Sequence, residues 1–182
     1  MRRFLVPLVP LAVFAVLAVV LAIGIRHSPD KGIIVSPLLG KPAPQFTLPV
    51  LSGSGRTLRS SDLRGRWYVF NVWGTWCPSC REEHGFLLEV QKSGRVPLIG
   101  LDWRDDDAQA RAWLAQLGNP YETVIVDREG RTAIDWGVYG APETFLVDPQ
   151  GIVVYKHVGA LTRAAWETEF LPRITAGTAA RS

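Results

Sequence analysis

Two cysteines are the residues whose type and spacing most clearly suggest chemistry. Cys77 and Cys80 are the only cysteines of the chain, and two residues separate them. A disulfide across so short a loop would restrict the unfolded chain very little, so a purely structural bridge is a poor explanation. The spacing is typical of a pair that alternates between dithiol and disulfide. The sequence therefore predicts a redox disulfide between Cys77 and Cys80.

Metal and haem sites fit these cysteines poorly. A structural zinc site normally needs four ligands, and no second Cys/His pair stands at zinc-finger spacing. Covalent haem would need the pattern C-x-x-C-H, but Arg81 follows Cys80. We therefore expect no metal and no cofactor.

The elements around the cysteines predict how they are positioned. Residues 67–73 form a nearly continuous aromatic and β-branched run, which is typical of a central strand covered on both faces. A turn leads to Cys77, and a helix from Pro78 to about Lys92 follows, because proline is well tolerated at the first helical position. The helix N-terminus would favour a thiolate on Cys77. We expect Cys77 to attack as the exposed thiol, and Cys80, one turn further and more buried, to resolve the mixed disulfide.

The rest of the chain predicts an α/β domain with a mixed sheet, because strands and helices alternate before an antiparallel pair. A short hairpin or cap precedes the main fold over residues 38–63. Further strands are predicted at 96–101, 121–126, 143–147 and 152–157, and further helices at 105–117, 131–136 and 162–174.

The first segment predicts a membrane anchor. Residues 4–25 carry no charge, and a helix of that length crosses a hydrocarbon core of about 30 Å. Arg2 and Arg3 precede it, so the short N-terminus is expected in the cytoplasm and the domain outside it. A cleaved signal peptide is the alternative, but its apolar region is usually shorter, about 7–15 residues, with a small-x-small cleavage site.

These features predict five segments: a cytoplasmic N-terminus (1–3), a transmembrane anchor (4–25), a linker (26–37), the folded domain (38–174) and a flexible tail (175–182). The chain carries 20 basic and 17 acidic residues, and without Arg2 and Arg3 the balance is nearly even. Nucleic-acid binding is not expected, because it needs a concentrated basic patch.

Two motifs resemble one known family. Residues 72–84 read VWGTWCPSCREEH and residues 137–145 read GVYGAPETF. Both are similar to the signatures of the DsbE/CcmG proteins, membrane-tethered thioredoxin-like proteins of bacterial cytochrome c maturation. The similarity covers nearly the whole chain. It implies a thioredoxin fold with an N-terminal hairpin extension and an inserted helix and strand, preceded by one transmembrane helix.

The resemblance also implies a function. Members of this family keep the C-x-x-C-H cysteines of apocytochrome c reduced until haem is attached. They work with other cytochrome c maturation components and receive electrons from a membrane donor of the DsbD or CcdA type. We therefore expect a single-pass inner-membrane protein whose domain faces the periplasm and acts as a thiol-disulfide oxidoreductase.

The same resemblance implies site residues. The bond before Pro142 is expected to be cis and to face the cysteines, where it would shape a groove for substrate backbone. The candidate substrate-binding residues are Trp76, Pro78, Ser79, Tyr139, Ala141 and Pro142.

Asn71 stands where thioredoxin has a buried aspartate that assists proton transfer at the resolving cysteine. An amide cannot accept that proton, so we expect Glu83 or Glu143 to do so as catalytic acids. Glu143 directly follows Pro142 and should lie near the thiols, and Glu83 is three residues beyond Cys80, on the same side of the helix. The alternative is that both are solvated surface acids.

Other functions stay open at this point. A general periplasmic reductase or isomerase is the nearest alternative. A peroxiredoxin would need a Thr-x-x-Cys setting that the chain lacks, although residues 40–44 also open many of those proteins. Copper binding through His84 would normally come with a wider cysteine spacing and a distant histidine. A haem- or metal-handling scaffold would keep its activity after Cys77→Ser.

Overall fold

The computed structural model describes residues 8–26, 36–52 and 55–179. The chain divides into two compact units, with the boundary between Val35 and Ser36. The first unit contains helix α1 (Leu8–Arg26). Within the described residues, we find no helix long and apolar enough to cross a membrane. The predicted cytoplasmic N-terminus, the first residues of the predicted anchor and most of the predicted linker lie outside the described residues.

A five-stranded mixed sheet forms the centre of the second unit. Its strands are β3 (Tyr68–Trp73), β4 (Leu98–Trp103), β5 (Thr123–Asp127), β6 (Glu143–Val147) and β7 (Val153–Val158). They lie in the order β5-β4-β3-β6-β7. Strand β3 is parallel to β4 and antiparallel to β6, whereas β4 and β5 are parallel and β6 and β7 antiparallel. This confirms the predicted mixed sheet with β3 at its centre.

Helices and a small hairpin complete the second unit. The hairpin pairs β1 (Thr47–Pro49) with β2 (Thr57–Arg59) and is the predicted N-terminal extension. A 3₁₀ turn (Ser60–Leu63) follows it. The helices are α2 (Pro78–Ser93), α3 (Asp107–Leu117), α4 (Arg131–Asp135), α5 (Arg163–Ala165) and α6 (Leu171–Ala179), with a π-helical turn (Trp166–Phe170) between the last two. Helix α3 and strand β5 are the expected inserted helix and strand. Helix α6 continues beyond residue 174, so part of the predicted tail is helical.

The sheet buries apolar side chains on both faces, because successive residues of a strand point to opposite sides. In β3, Val69 and Trp73 enter the core on one face, and Phe70 and Val72 enter the core on the other. Every residue of β3 is buried. One of these residues, Asn71, is polar, and it lies two positions before the end of the strand that leads to the cysteines.

Candidate active site

The two cysteines form a disulfide at the start of α2. The Sγ atoms are 2.13 Å apart, and Cys77 is the N-cap residue of the helix. The backbone N–H of Cys80 donates to Sγ of Cys77 at 3.1 Å, and Pro78 is the first helical residue. The predicted disulfide and its place are confirmed. After reduction, the same N–H and the helix dipole would stabilise a thiolate on Cys77.

The two cysteines differ little in burial. Cys77 is 4% exposed and Cys80 is 2% exposed. The expectation that Cys77 is the exposed thiol is therefore wrong for this oxidised state, because both cysteines belong to the same buried apolar cluster. The chemical distinction between them lies in the hydrogen bond to Cys77 Sγ rather than in accessibility.

The peptide bond between Ala141 and Pro142 is cis, as the resemblance implies. Pro142 is buried and Ala141 is half-buried. Strand β6 begins at the next residue, where Glu143 pairs with Val72 of β3. Because β3 ends one residue after Val72 and leads directly into the cysteine loop, this register brings Pro142 to the same edge of the sheet as the disulfide.

Trp76 is the exposed aromatic residue next to the disulfide, with half of its surface accessible (50%). Its indole N–H donates to the carbonyl oxygen of Trp103 at 3.1 Å, and the two rings meet edge to face at 5.6 Å. A Cβ atom on Gly74 would lie 2.5 Å from Nε1 of Trp76, so glycine is required for the indole to fold back over the loop. Of the other candidate contacts, Tyr139 (58%) and Pro78 are exposed, and Ser79 is half-buried.

Glu83 is buried, which excludes the interpretation of this residue as a solvated surface acid. It is 2% exposed, and both carboxylate oxygens have donors. Asn71 Nδ2 donates to Oε1 at 2.8 Å, and the backbone N–H of Leu161 donates to Oε2 at 2.5 Å. Burial raises the pKa of Glu83 to about 7, although these two hydrogen bonds act in the opposite direction.

Asn71 connects Glu83 to strand β6 and to the loop before β5. Its Nδ2 also donates to Oγ1 of Thr144 at 2.9 Å, and its Oδ1 accepts from the hydroxyl of Tyr121 at 2.7 Å. Burial, and then the charge of Glu83, raise the pKa of Tyr121 well above its usual value. The phenol is therefore a permanent donor, and it fixes the orientation of the Asn71 amide.

Glu143 is also buried, with no exposed surface, but its partners differ from those of Glu83. Its Oε1 accepts from the backbone N–H of Tyr139 at 3.2 Å. Its Oε2 lies 2.7 Å from the ammonium group of Lys156, which is itself buried. Glu143 is therefore half of an ion pair between the first residue of β6, directly after Pro142, and Lys156 of β7.

Two acids next to the cysteine loop are not identified by the sequence. Asp105 accepts two hydrogen bonds from Thr75, at 2.5 Å from the backbone N–H and at 2.8 Å from the hydroxyl. Asp102 is fully buried in β4, and burial, followed by the charges of Asp105 and Asp107, raises its pKa to about 8. The run of three aspartates predicts only a helix N-terminus, which Asp106 caps and where Asp107 is the first residue of α3. The sequence does indicate Asp102 in one respect, because it is an acidic residue within the otherwise apolar strand β4.

His84 is buried and packs its ring edge to face against Trp113 at 4.3 Å. Its Nε2 lies 3.0 Å from the carbonyl oxygen of Gly118, and burial lowers its pKa. Among the described residues, no three potential metal ligands stand close enough together to hold an ion. His84 thus links α2 to the loop after α3.

A mixed sheet that holds a cysteine pair at a helix N-terminus, with a cis-proline at the same edge, defines a thioredoxin-like thiol-disulfide oxidoreductase. The family model described as AhpC/TSA family matches residues 39–156. The chain is 44% identical to the thiol:disulfide interchange protein DsbE of Allochromatium vinosum over 165 residues, which are 91% of this chain and 90% of that protein. It is 40% identical to DsbE of Escherichia coli K12 over 169 residues, with 91% of each chain covered.

A crystal structure described as thiol:disulfide interchange protein DsbE from Chlorobium tepidum superposes with a TM-score of 0.62 and 29% identity, covering 76% of this chain and 95% of that chain. The chain therefore belongs to the AhpC/TSA family and to the DsbE thiol:disulfide interchange proteins.

Proposed function

We propose that this protein reduces the disulfide of C-x-x-C-H cysteines in apocytochrome c before haem attachment. The observation that carries a thiol-exchange mechanism is the Cys77–Cys80 disulfide at the N-terminus of α2, where a backbone N–H is already directed at Cys77 Sγ. The membership in the DsbE proteins supports exchange with a protein disulfide. The apocytochrome substrate is an expectation from the motifs of the sequence.

The reaction begins with the reduced protein. The Cys77 thiolate attacks one sulfur of the substrate disulfide, and the other substrate sulfur leaves as a thiolate and takes up a proton. Cys80 then loses its proton and attacks Cys77 Sγ, which releases the second substrate thiol and forms the Cys77–Cys80 disulfide of this structure. Two electrons pass to the substrate, and a membrane donor dithiol of the DsbD or CcdA type returns two electrons and two protons.

Glu83 is the proposed acceptor of the Cys80 proton. It is buried, lies three residues after Cys80 on the same helix, and has a pKa of about 7. A group with a pKa near the working pH can both accept and return a proton, which makes it an effective general base. The Asn71 amide holds the carboxylate in place at 2.8 Å without competing for the proton.

The proposed substrate surface combines exposed rings with the loop that precedes β6. Trp76 and Tyr139 offer aromatic surface, and the Ala141–Pro142 segment precedes β6 at the edge of the sheet next to the disulfide. Pro142 has no N–H, and its carbonyl oxygen accepts from the backbone N–H of Gly159 at 2.9 Å. An extended substrate would therefore pair with the backbone of Ala141, by main-chain hydrogen bonds that do not depend on the substrate sequence. The rings would then contact the residues that flank the substrate cysteines.

Residues 4–25 are proposed to tether the domain to the inner membrane as a single-pass anchor, with residues 1–3 in the cytoplasm and the domain in the periplasm. The support for this proposal is in the sequence, where an uncharged stretch follows Arg2 and Arg3. The described part of this stretch is helical and begins at Leu8.

The test is a trap in cells that assemble c-type cytochromes. The full-length Cys80→Ala variant should accumulate mixed disulfides on Cys77, and mass spectrometry identifies the partners. The matched control is Cys77→Ala/Cys80→Ala, which can form none. Apocytochromes or maturation components on Cys77 support the proposal. A broad set of unrelated exported proteins would indicate a general reductase instead, and an empty trap would contradict the exchange mechanism.

A second variant distinguishes the proposed reductase from a scaffold without redox chemistry. If haem attachment continues normally with Cys77→Ser as the only copy of the protein, thiol exchange is not its function. The expected result is loss of haem attachment and accumulation of oxidised apocytochrome.

A further inference from the structure

Lys156 is a buried cation on β7. Its side chain is 5% exposed, and its Nζ lies 2.7 Å from Oε2 of Glu143, whose side chain is fully buried. The same Nζ donates to the carbonyl oxygen of Gly137 at 2.9 Å. Such a pair loses the hydration of both charges on burial, and apolar side chains of similar size often give equal or greater stability. Stability alone is therefore a poor explanation for this pair.

The ion pair lies beside the loop that joins α4 to β6. Lys156 contacts the start of this loop at Gly137, and Glu143 is the residue directly after it. Between these points, the backbone N–H of Tyr139 donates to Oε1 of Glu143 at 3.2 Å, and Nζ of Lys156 lies 4.8 Å from the centre of the Tyr139 ring. The loop also contains the cis-proline Pro142. One pair of charges therefore holds the loop at its beginning, its middle and its end.

We propose that Lys156 is a positioning residue for substrate binding. It acts through Glu143 to hold the Tyr139 ring and the backbone at Pro142 in the positions where a polypeptide substrate binds. This inference rests on the proposed function, since it assumes that this exposed face receives the substrate. Tyr139 is 58% exposed although its backbone is fixed by a buried group, and this combination fits a ring presented to a partner.

The same contacts assign different tasks to the two buried acids. Both oxygens of Glu143 are engaged, one by an ammonium group and one by the Tyr139 backbone. Glu83 is held by an amide and a backbone N–H and has no cation among its hydrogen-bond partners. Glu83 is therefore the acid for proton exchange, and Glu143 belongs to substrate positioning. This interpretation replaces the sequence-based hypothesis that either acid could accept the proton.

The experiment compares a polypeptide substrate with a small disulfide. The full-length chain is reduced, and stopped-flow fluorescence measures its exchange with an oxidised C-x-x-C-H peptide and with hydroxyethyl disulfide.

The variants are Lys156→Met and Lys156→Arg, and the matched control is Lys92→Met, which removes an exposed lysine from α2. For Lys156→Met we expect the peptide rate to fall about tenfold while the small-disulfide rate stays within about twofold. Lys156→Arg should retain most of the peptide rate, because arginine can keep the pair with Glu143.

Equal loss with both disulfides would overturn the proposal, because it would indicate a general structural defect. An unchanged peptide rate would overturn it as well. If Lys156→Met does not fold, Lys156→Met/Glu143→Gln removes both charges together, and the same selective loss of the peptide rate is expected. The proposed function is tested separately by the unmodified protein: failure to exchange with the peptide at all would count against the function, whereas the ratio of the two rates tests Lys156.

Discussion

Asn71 and Glu83 meet in a buried hydrogen bond of 2.8 Å, one helical turn from Cys80. The amide has a single possible orientation there, because its oxygen accepts from Tyr121 and its nitrogen donates to Glu83 and Thr144. Strands β3 and β6, helix α2 and the loop before β5 thus meet in one network beside the disulfide. The network supplies hydrogen-bond donors to Glu83 but no positive charge. The effect of burial therefore outweighs that of the hydrogen bonds, and the pKa of Glu83 rises to about 7.

Replacing Glu83 should change how stability depends on pH. The folded-state pKa of about 7 lies above the ordinary glutamate pKa of 4.5, so the folded protein binds more protons than the unfolded chain between these values. Stability should therefore fall as pH rises from the ordinary glutamate pKa to about 7, by at most about 3 kcal/mol. In Glu83→Gln this contribution is absent, and urea unfolding of the oxidised protein from pH 4 to 8 should show a flatter profile.

Glu82→Gln is the matched control for Glu83→Gln, because Glu82 is the exposed neighbour on the same helix. The control should keep the pH profile of the unmodified protein. Identical profiles for Glu83→Gln and the unmodified protein would show that Glu83 does not titrate in this range. The rate at which Cys80 resolves the mixed disulfide should also lose its pH dependence near 7 in Glu83→Gln.

Asn71→Asp would place a second carboxyl against Glu83. Two buried carboxylates at this distance cannot both ionise easily, so one proton would be shared and the pKa of the pair would rise. The variant also loses the Nδ2 donor to Thr144, so we expect a loss of about 1–3 kcal/mol at pH 8. The loss should be smaller at pH 5, where the shared proton is present. Denaturant unfolding at the two pH values measures it.

Asn119→Asp is a suitable control for that change. Asn119 is exposed, and its oxygen accepts from the backbone N–H of Tyr121, a role that a carboxylate can also take. This control should unfold like the unmodified protein at both pH values. An equal loss at pH 5 and pH 8 for Asn71→Asp would contradict the shared-proton explanation.

The sequence predicted the local features of the site well, because they depend on residues close together in the chain. The C-x-x-C spacing and Pro78 placed the disulfide at a helix start, and the apolar run before it identified β3. The cis bond before Pro142 followed only from the resemblance to a family, since most X-Pro bonds are trans.

The long-range contacts of the site could not be predicted, because they depend on strand order and register. Lys156 reaches Glu143 only because β7 pairs with β6 in a register that places Lys156 opposite Phe145. Tyr121 reaches Asn71 only because the inserted strand β5 lies next to β4. In the sequence, Lys156 follows a tyrosine and precedes a histidine, which gives no indication that its ammonium group is buried.

Asp102→Asn should stabilise the protein at alkaline pH. Burial raises the pKa of Asp102 to about 8, so the protein binds this proton when folded and loses stability as pH rises from about 4 through 8. An asparagine keeps the shape without the charge. The two proteins should have similar unfolding midpoints at pH 5, and the variant should unfold at a higher urea concentration at pH 9.

Asp106→Asn is the matched control, since asparagine caps helices about as well as aspartate. Asp106 is exposed and caps α3 through hydrogen bonds to two backbone N–H groups. Its replacement should not alter the pH dependence. If Asp102→Asn is no more stable than the unmodified protein at pH 9, Asp102 is not the protonated acid inferred from its burial.

Gly74→Ala should displace Trp76 without unfolding the domain. The new Cβ would lie 2.5 Å from Nε1 of the indole, a clash that a half-exposed ring can relieve by moving away from Trp103. If Trp76 contacts the substrate, exchange with a C-x-x-C-H peptide should slow about tenfold, as for Trp76→Ala.

Gly85→Ala is the control, because an added Cβ on this exposed glycine of α2 meets nothing within 4 Å. That control should keep the full rate and gain up to about 1 kcal/mol. Gly74→Ala with full activity and an altered tryptophan fluorescence spectrum would show that the position of Trp76 does not matter for exchange.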